Sequence, residues 1–206
     1  MLTFNMATKI PSTDLQKEVD RRFMEGLIRF TAESLDTPRP VPFGALIINS
    51  ETGETLMRGR NAVATESDPS AHAELRTVRK ATKKLKTFSL VGYTMYSTCE
   101  PCPMCMANAL WARLDRVVYG ATIEDAKRYC LQIHIPAKEV AKRSDISCAV
   151  DGPVLRELCV TLFTHPNMQK AFRSWSSSAA HVFIDSDQNW HRPSLSHMVA
   201  NRRDNI

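Results

Sequence analysis

Two short segments of the chain carry residue types that commonly bind a metal ion in proteins. His72 lies two residues before Glu74, and Cys102 lies three residues before Cys105. Each pair stands at the predicted start of a helix, and residues three apart lie on the same face of a helix. A helix N-terminus also stabilises the thiolate, which is the form of cysteine that binds a metal. The spacing therefore predicts that both sulfur atoms reach one ion.

One imidazole and two thiolates form a ligand set suited to tetrahedral zinc, with the fourth position open to water. Zinc lowers the pKa of bound water from about 15.7 to about 7, so hydroxide forms near neutral pH. Such a hydroxide can attack an electron-poor ring carbon that bears an amino group, and this attack requires proton transfers. Glu74 is placed to carry these protons. We therefore predict zinc ligation by His72, Cys102 and Cys105, and catalysis by Glu74.

A closed structural zinc site is the alternative interpretation of the same residues. Cys99 would then supply a fourth ligand and complete the tetrahedron, which leaves no position for water. Such a chain would be a non-catalytic, zinc-stabilised binding module. Replacing Cys99 separates the two interpretations, because only the structural site needs it for holding the metal.

The elements that must position these residues follow from the pattern of apolar side chains. Helical periodicity predicts helices over 15–30, 71–86 and 101–113. Apolar runs predict strands over 43–48, 55–58, 93–97 and 116–119, of which the first two form a hairpin. The alternation of strands and helices predicts parallel strands joined by right-handed crossovers. Both metal-binding segments would then follow the carboxyl ends of strands and meet at one site.

The remaining chain is predicted to complete one domain and end in a tail. We expect a helix over 136–143, a strand over 146–150, and a helix over 153–163 that begins with Pro153 at its favoured first position. From residue 174 the chain is rich in Ser, Asn, His and Arg, which is typical of a mobile tail. The predicted organisation is an N-terminal extension over 1–13, a catalytic domain over 14–173 and a polar tail over 174–206.

Composition and charge exclude few classes of protein. The 206 residues are 43% hydrophobic and 24% charged, which is ordinary for a soluble globular protein. No apolar run approaches the roughly 18 residues of a membrane span, and no secretory signal opens the chain, so we expect a cytoplasmic protein without membrane contact. The net charge is +5. A basic run could contact RNA or form a solvated helix face: Arg76, Arg79, Lys80, Lys83, Lys84 and Lys86.

Four motifs together resemble the cytidine-deaminase-like superfamily. They are Asp68–Glu74, Thr98–Cys105, Pro42–Ala45 and Gly59–Asn61. The pairing of His-x-Glu with Pro-Cys-x-x-Cys is the signature of zinc-dependent deaminases. The motifs are most similar to the branch that contains guanine deaminases, fungal-type cytosine deaminases and tRNA adenosine deaminases. The resemblance covers roughly Leu15 to Phe172.

This resemblance implies a three-layer α/β/α sandwich around a five-stranded mixed sheet, with one zinc ion in each subunit of a homodimer. It also implies that Asn61 contacts the base, that the backbone near Ala73 contributes, and that Phe43 forms an apolar wall. Trp111 is a further substrate-binding candidate, because it could stack on a ring, although it could equally pack in the core or at a subunit interface.

The expected substrate is guanine or a related aminopurine. Cys99 before Glu100–Pro101, and the sequence Trp111–Arg113, resemble guanine deaminases more than the tRNA enzymes. The guanine deaminases carry an acidic segment near the position of Cys130–Gln132, where this chain has no acid, and His134 could supply a polar contact instead. Adenosine in tRNA, and cytosine or a nucleoside, remain the alternatives.

Overall fold

A computed structural model of the chain describes residues 13–178, together with 183–184 and 190–191. The predicted N-terminal extension therefore lies outside the described residues except for Thr13. Most of the predicted tail lies outside them as well. The structural statements below concern the described residues.

The central feature is a five-stranded mixed sheet with the strand order β2-β1-β3-β4-β5. Its strands are β1 (Gly44–Asn49), β2 (Thr55–Arg60), β3 (Tyr93–Cys99), β4 (Arg116–Ala121) and β5 (Ala149–Asp151). β1 runs antiparallel to both of its neighbours, whereas β3, β4 and β5 are parallel. A separate two-residue pair joins β6 (Phe183–Ile184) to β7 (Trp190–His191).

The predicted hairpin of the first two strands is confirmed, but the sequence does not predict that β1 lies between β2 and β3. The short turn after Asn49 returns the chain directly, so β1 and β2 form an antiparallel hairpin, as two strands joined by a tight turn must. β1 then separates β2 from β3 in the sheet. β2 and β3 nevertheless run in the same direction, because each is antiparallel to β1.

Helices cover both faces of the sheet. They are α1 (Thr13–Ala32), α2 (Val63–Glu66), α3 (Ala73–Leu85), α4 (Pro103–Trp111), α5 (Ile123–Ala126), α6 (Ala137–Lys142), α7 (Arg156–Thr164) and α8 (Pro166–Ser178). Alternate strand residues point to opposite faces. Thus Leu46 and Ile48 pack with α1, α7 and α8, whereas Ile47 packs with α3 and α4. The predicted α/β/α sandwich is confirmed.

Several boundaries differ from the sequence-based expectations; β5, for example, begins at Ala149 and not at Ile146. α7 begins at Arg156 and not at Pro153, because Leu155 has a left-handed backbone (φ 51°) that an α-helix cannot pass through. Val154 instead donates a hydrogen bond to the carbonyl oxygen of Tyr119 on β4. α8 continues to Ser178, beyond the predicted start of the tail, and Trp175 packs edge-on against Phe172 within it.

Among the described helices, none has the length and apolarity needed to cross a membrane.

A buried ionic network attaches α1 to the sheet. Asp20 on α1 is 5% exposed and accepts hydrogen bonds from the Tyr96 hydroxyl on β3 and from both terminal nitrogens of Arg116 on β4, each 2.7 Å long. Arg116 also donates to Asp151 on β5. Burial alone raises the pKa of Asp20, but the hydrogen bonds from Arg116 and Tyr96 outweigh it, so the pKa lies below its ordinary value.

Replacing Asp20 by Asn should destabilise the fold, because it leaves the half-buried Arg116 charge without its buried partner. We expect a loss of about 3 kcal/mol or more in the free energy of unfolding, measured by urea denaturation. The control is Asp14→Asn, whose ion pair with Lys17 is exposed and should contribute almost nothing. Equal losses in both variants would contradict the assignment.

The same network predicts how stability varies with pH. Because folding lowers the pKa of Asp20, its contribution is fully present above the unfolded value of about 3.9 and is lost as the pH falls through the folded value. The difference in stability between the wild type and Asp20→Asn should therefore shrink in acid. A difference that stays constant from neutral pH into acid would contradict this linkage.

Candidate metal centre and its cavity

The start of α3 and the start of α4 lie next to each other at one edge of the sheet. α3 follows β2 and α4 follows β3, and these two strands run in the same direction, so both helices begin at the same edge. His72 is the N-cap residue of α3, and Cys102 is the N-cap residue of α4. The sequence-based expectation that the two segments meet is confirmed.

Gly59 allows α3 to lie close to β2. A Cβ atom at this position would stand 2.7 Å from the hydroxyl oxygen of Thr77, which is tighter than real contacts allow. That hydroxyl already donates a hydrogen bond to the carbonyl oxygen of Ala73 in the first turn of α3. The glycine in the Gly59–Asn61 motif therefore fixes the distance between the hairpin and the helix that carries His72.

The structure brings His72, Cys102 and Cys105 together as a group that could hold a metal ion. The Nδ1 atom of His72 lies 3.6 Å from the Sγ atom of Cys102 and 3.5 Å from that of Cys105. Zinc bonds of about 2.3 Å to sulfur and about 2.0 Å to nitrogen in a tetrahedron place these atoms about 3.5 Å apart. The three ligand atoms all lie within 4.8 Å of one another, so the donor set fits zinc.

The two thiols of the centre differ in their protonation. The hydrogen bond from Cys105, helped by one from His72, lowers the pKa of Cys102 to about 4. The same interaction with Cys102, together with burial, raises the pKa of Cys105. Because cysteine binds zinc as the thiolate, metal binding at Cys105 would have to release the proton of its thiol.

Glu74 is a buried carboxyl group directly beside this centre. It is 6% exposed, and burial raises its pKa above the ordinary value. A hydrogen bond with Ser97 on β3 opposes this shift without reversing it. A carboxyl group with a raised pKa is suited to taking up and releasing protons near neutral pH.

A cavity of about 1680 Å³ opens onto this centre. His72, Glu74 and Cys102 line one part of it, and Asn61 and Phe43 line its walls as expected. The side-chain oxygen of Asn61 accepts a hydrogen bond from the backbone of Val63 (3.1 Å), which leaves its amide nitrogen to bind another group. The ring of Phe43 packs edge-on against Phe163.

Two of the predicted substrate-binding residues lie elsewhere. Ala73 is fully buried between His72 and Glu74 and does not line the cavity itself. Trp111 is 74% exposed at the end of α4 and lies away from the cavity. The inward face of α4 carries Cys105 and its apolar neighbours instead, and the contact of Trp111 with a substrate stays a prediction.

The geometry does not favour the alternative of a closed four-ligand site. Within the described residues, the group of ligand atoms contains His72, Cys102 and Cys105 but not Cys99. The Cys99 sulfur instead points to the carbonyl oxygen of Thr122 at 3.9 Å. Burial raises the pKa of Cys99 well above its ordinary value, so this residue stays a thiol.

The cavity has two further walls, of which the one on α8 was not predicted from the sequence. One wall is formed by α8, including Lys170, Ala171 and Trp175. A usable signal was present, because Met168, Ala171, Phe172 and Trp175 follow helical spacing. A second wall is formed by residues 129–134, and it includes His134, the residue expected to supply a polar contact to the substrate. The basic run of α3 lies outside the cavity.

This chain belongs to a family of zinc-binding deaminases. Residues 17–121 match the family described as the cytidine and deoxycytidylate deaminase zinc-binding region. The predictions of a zinc-dependent hydrolytic deaminase and of zinc as its cofactor are therefore confirmed.

Two curated relatives define the branch more closely. A guanine deaminase from Bacillus subtilis is 35% identical over 123 residues, which cover 60% of this chain and 78% of the relative. A tRNA-specific adenosine deaminase from Buchnera aphidicola is 34% identical over 116 residues, which cover 56% of this chain and 70% of the relative. The resemblance inferred from the motifs is confirmed.

Solved structures share the fold. A guanine deaminase from Nitrosomonas europaea superposes with a TM-score of 0.63 at 17% identity, covering 84% of this chain and 99% of the other. The Bacillus subtilis guanine deaminase superposes with a TM-score of 0.51 at 29% identity, covering 76% of this chain and 92% of the other.

Zinc content should distinguish Cys105 from Cys99. Replacing Cys105 by Ser removes a thiolate from the three-atom group, so the purified variant should retain well under half of the wild-type zinc, measured by inductively coupled plasma mass spectrometry. Cys99→Ser is the matched control and should keep its full zinc content. Loss of zinc from Cys99→Ser would instead support the interpretation as a closed structural zinc site.

Proposed function

We propose that the chain removes the amino group of guanine or a related aminopurine by hydrolysis, releasing ammonia. The observation that carries this proposal is the buried Glu74 carboxyl group beside the three metal-binding atoms at one side of a cavity. The Bacillus subtilis relative, a guanine deaminase, supports a purine substrate. So does the protein NE0047, which shares the fold at 20% identity and has been solved in complex with 2,6-diaminopurine.

The proposed mechanism gives each residue one task. His72, Cys102 and Cys105 would hold one zinc ion per subunit, which when bound supplies an activated water at neutral pH. Glu74 would take one proton from the attacking water and pass it to a ring nitrogen of the base. It would then take the proton of the hydroxyl group newly formed on the ring carbon and pass it to the amino group, which leaves as ammonia while the carbonyl forms. The buried position of its carboxyl group keeps bulk water from competing for the proton.

The walls of the cavity would orient the base. The free amide nitrogen of Asn61 can donate a hydrogen bond to a ring nitrogen or carbonyl oxygen. Phe43 supplies an apolar surface for a ring face, and its contact with Phe163 holds it in place. Backbone groups next to Ala73 are the third proposed contact.

Adenosine in tRNA is a second candidate substrate. The cavity of about 1680 Å³ exceeds the roughly 300–1,000 Å³ of ordinary small-molecule sites, so a base attached to a larger molecule also has room. The tRNA adenosine deaminase relative supports this candidate. Cytosine and free nucleosides are the remaining substrates to be tested.

A homodimer is the proposed assembly, and the cytoplasm is the proposed compartment. All six cysteines are free thiols, which suits a reducing compartment. Phe88 and Val91 precede β3 and are 79% and 64% exposed, and Trp111 is 74% exposed. A hydrogen bond of 2.7 Å from Leu90 to Ala112 holds their two segments together. Adjacent exposed apolar groups of this kind are suited to a subunit interface.

The substrate proposal is tested by measuring ammonia release from guanine, guanosine, cytosine, adenine and an anticodon stem-loop. We expect guanine to give the highest kcat/KM. Glu74→Gln should keep its zinc but lose activity by roughly 10²- to 10⁴-fold, because the proton carrier is removed. The matched control is Glu51→Gln on the exposed turn between β1 and β2. Activity confined to the RNA would replace guanine by the second candidate.

The assembly is tested by light scattering of the wild type and of Trp111→Glu. The wild type should have the mass of two chains. The dissociation constant of the Trp111→Glu dimer should be at least about tenfold higher, because the variant would bury a charge in the interface. Lys138→Glu on α6 serves as a control for a charge change elsewhere. A wild type with the mass of one chain at all concentrations would refute the proposed dimer.

A further inference from the structure

Glu100 is a buried carboxyl group to which the proposed mechanism gives no task. It lies between Cys99 and the Pro101–Cys102 turn and is 8% exposed. One carboxylate oxygen accepts a hydrogen bond from the backbone of Ile123 (3.1 Å), and the other accepts one from the backbone of Ala137 (2.9 Å). Both oxygens are therefore engaged by main-chain donors that lie 14 positions apart in the sequence.

The two donors are the first residues of two helices. Ile123 begins α5 and Ala137 begins α6, and the N–H groups in the first turn of a helix have no partner within that helix. A single carboxylate therefore satisfies one such group in each helix. Because the backbone of Glu100 also donates to the carbonyl oxygen of Ala121 (2.7 Å), the segment before Cys102 is joined to the end of β4 as well.

Residues 129–136, here called the flap, connect these two helices. They form neither helix nor strand. Among the described residues, the backbone N–H groups of Leu131 to Ile135 make one backbone hydrogen bond, from Ile135 to Ile133 (2.8 Å). The Tyr129 ring at the start of the flap stacks on Phe163, so residues 131–135 are the part of the flap with little backbone support.

The flap is one wall of the cavity. Tyr129 to His134 all line it, together with His72, Glu74 and Cys102 on the metal side. Leu131 and Ile133 line the cavity although they are 51% and 55% exposed, so water reaches them when no ligand is present. Gln132 and His134 add a carboxamide and an imidazole to this wall, and these groups can recognise the edge of a base.

We propose that Glu100 is a positioning residue for deamination, which holds the first residues of α5 and α6, the helices on either side of the flap, at a fixed place relative to the metal-binding segment. The flap then sets which heterocycle fits against the metal centre, and Glu100 acts on substrate binding without touching the substrate. This inference rests on the proposed function of the cavity. It extends that function by assigning substrate discrimination to one wall.

The test is Glu100→Gln, which keeps the size of the side chain but turns one of its two acceptors into a donor. That donor faces a backbone N–H group, so one end of the flap is released. We expect KM for the best substrate to rise roughly tenfold, as for a lost hydrogen bond to a charged group, while kcat and zinc content stay near the wild-type values. The matched control is Glu139→Gln, because Glu139 lies on α6 and pairs with Arg143 instead.

Limited trypsin digestion supplies a measurement that does not need activity. Lys127 and Arg128 are exposed directly before the flap. Release of the flap should speed cleavage at these residues several-fold in Glu100→Gln while the midpoint of thermal unfolding changes little. Cleavage elsewhere in the chain, and cleavage of Glu139→Gln, should proceed at the wild-type rate.

A second variant approaches the same contact from the other side. Ala137→Pro removes the N–H donor at the first helical position, where proline is tolerated, and leaves the Glu100 carboxylate unchanged. It should reproduce the rise in KM and the faster cleavage. If Glu100→Gln fails to fold, the KM and the cleavage rate of Ala137→Pro test the inference.

The outcomes are separable from those of the proposed function. Wild-type KM and wild-type cleavage in both variants would overturn the inference, as would a loss of zinc and kcat with KM unchanged, since Glu100 would then act on the metal centre. If the wild type deaminates no base, the proposed function fails. Trypsin cleavage would then still show whether Glu100 holds the flap.

Discussion

The common direction of β2 and β3 is the constraint on which the site depends. The two strands are not neighbours, and β1 between them runs the opposite way. Two reversals restore the original direction, so the helices that follow β2 and β3 begin at one edge of the sheet. His72 and the two cysteines meet for this reason, although about 30 residues separate them in the chain. A change in the register of the hairpin would therefore move the imidazole away from both sulfur atoms.

Burial raises the pKa of the acidic groups around the centre, but at one of them other interactions outweigh it. It raises the pKa of Glu74 and of Cys99, so both favour the protonated form. At Cys102 the neighbouring hydrogen bonds overcome burial, and the thiolate is favoured. A single cavity is therefore lined by a carboxyl group and a thiol with raised pKa values and by a thiol with a lowered pKa. Cys102 is also less deeply buried than Cys99, so hydrogen bonds and burial both contribute to the difference between their pKa values.

Most of the fold and the metal-binding group could be predicted from the sequence because each depends on local signals. Spacing of three residues placed Cys102 and Cys105 on one helical face, and alternating apolar residues identified the strands. The antiparallel order of β1 and β3 could not be obtained in the same way, because it depends on which strands pair across the sheet. The exposure of Trp111 could not be predicted either, because helical spacing shows which residues share a face but not which element packs against that face. The left-handed backbone of Leu155 could not be predicted because leucine rarely adopts this conformation.

The walls of the cavity were the hardest part of the site to predict from the sequence, because they are formed by segments that lie far apart in the chain. Asn167 on α8 donates a hydrogen bond to the carbonyl oxygen of Leu35, which joins the last long helix to the loop after the first one. Both segments line the opening, whereas the metal-binding atoms come from the middle of the chain. Mutations at the opening can therefore accumulate without disturbing the reactive atoms. In such an arrangement the same reaction can act on a different heterocycle when only the residues around the cavity change.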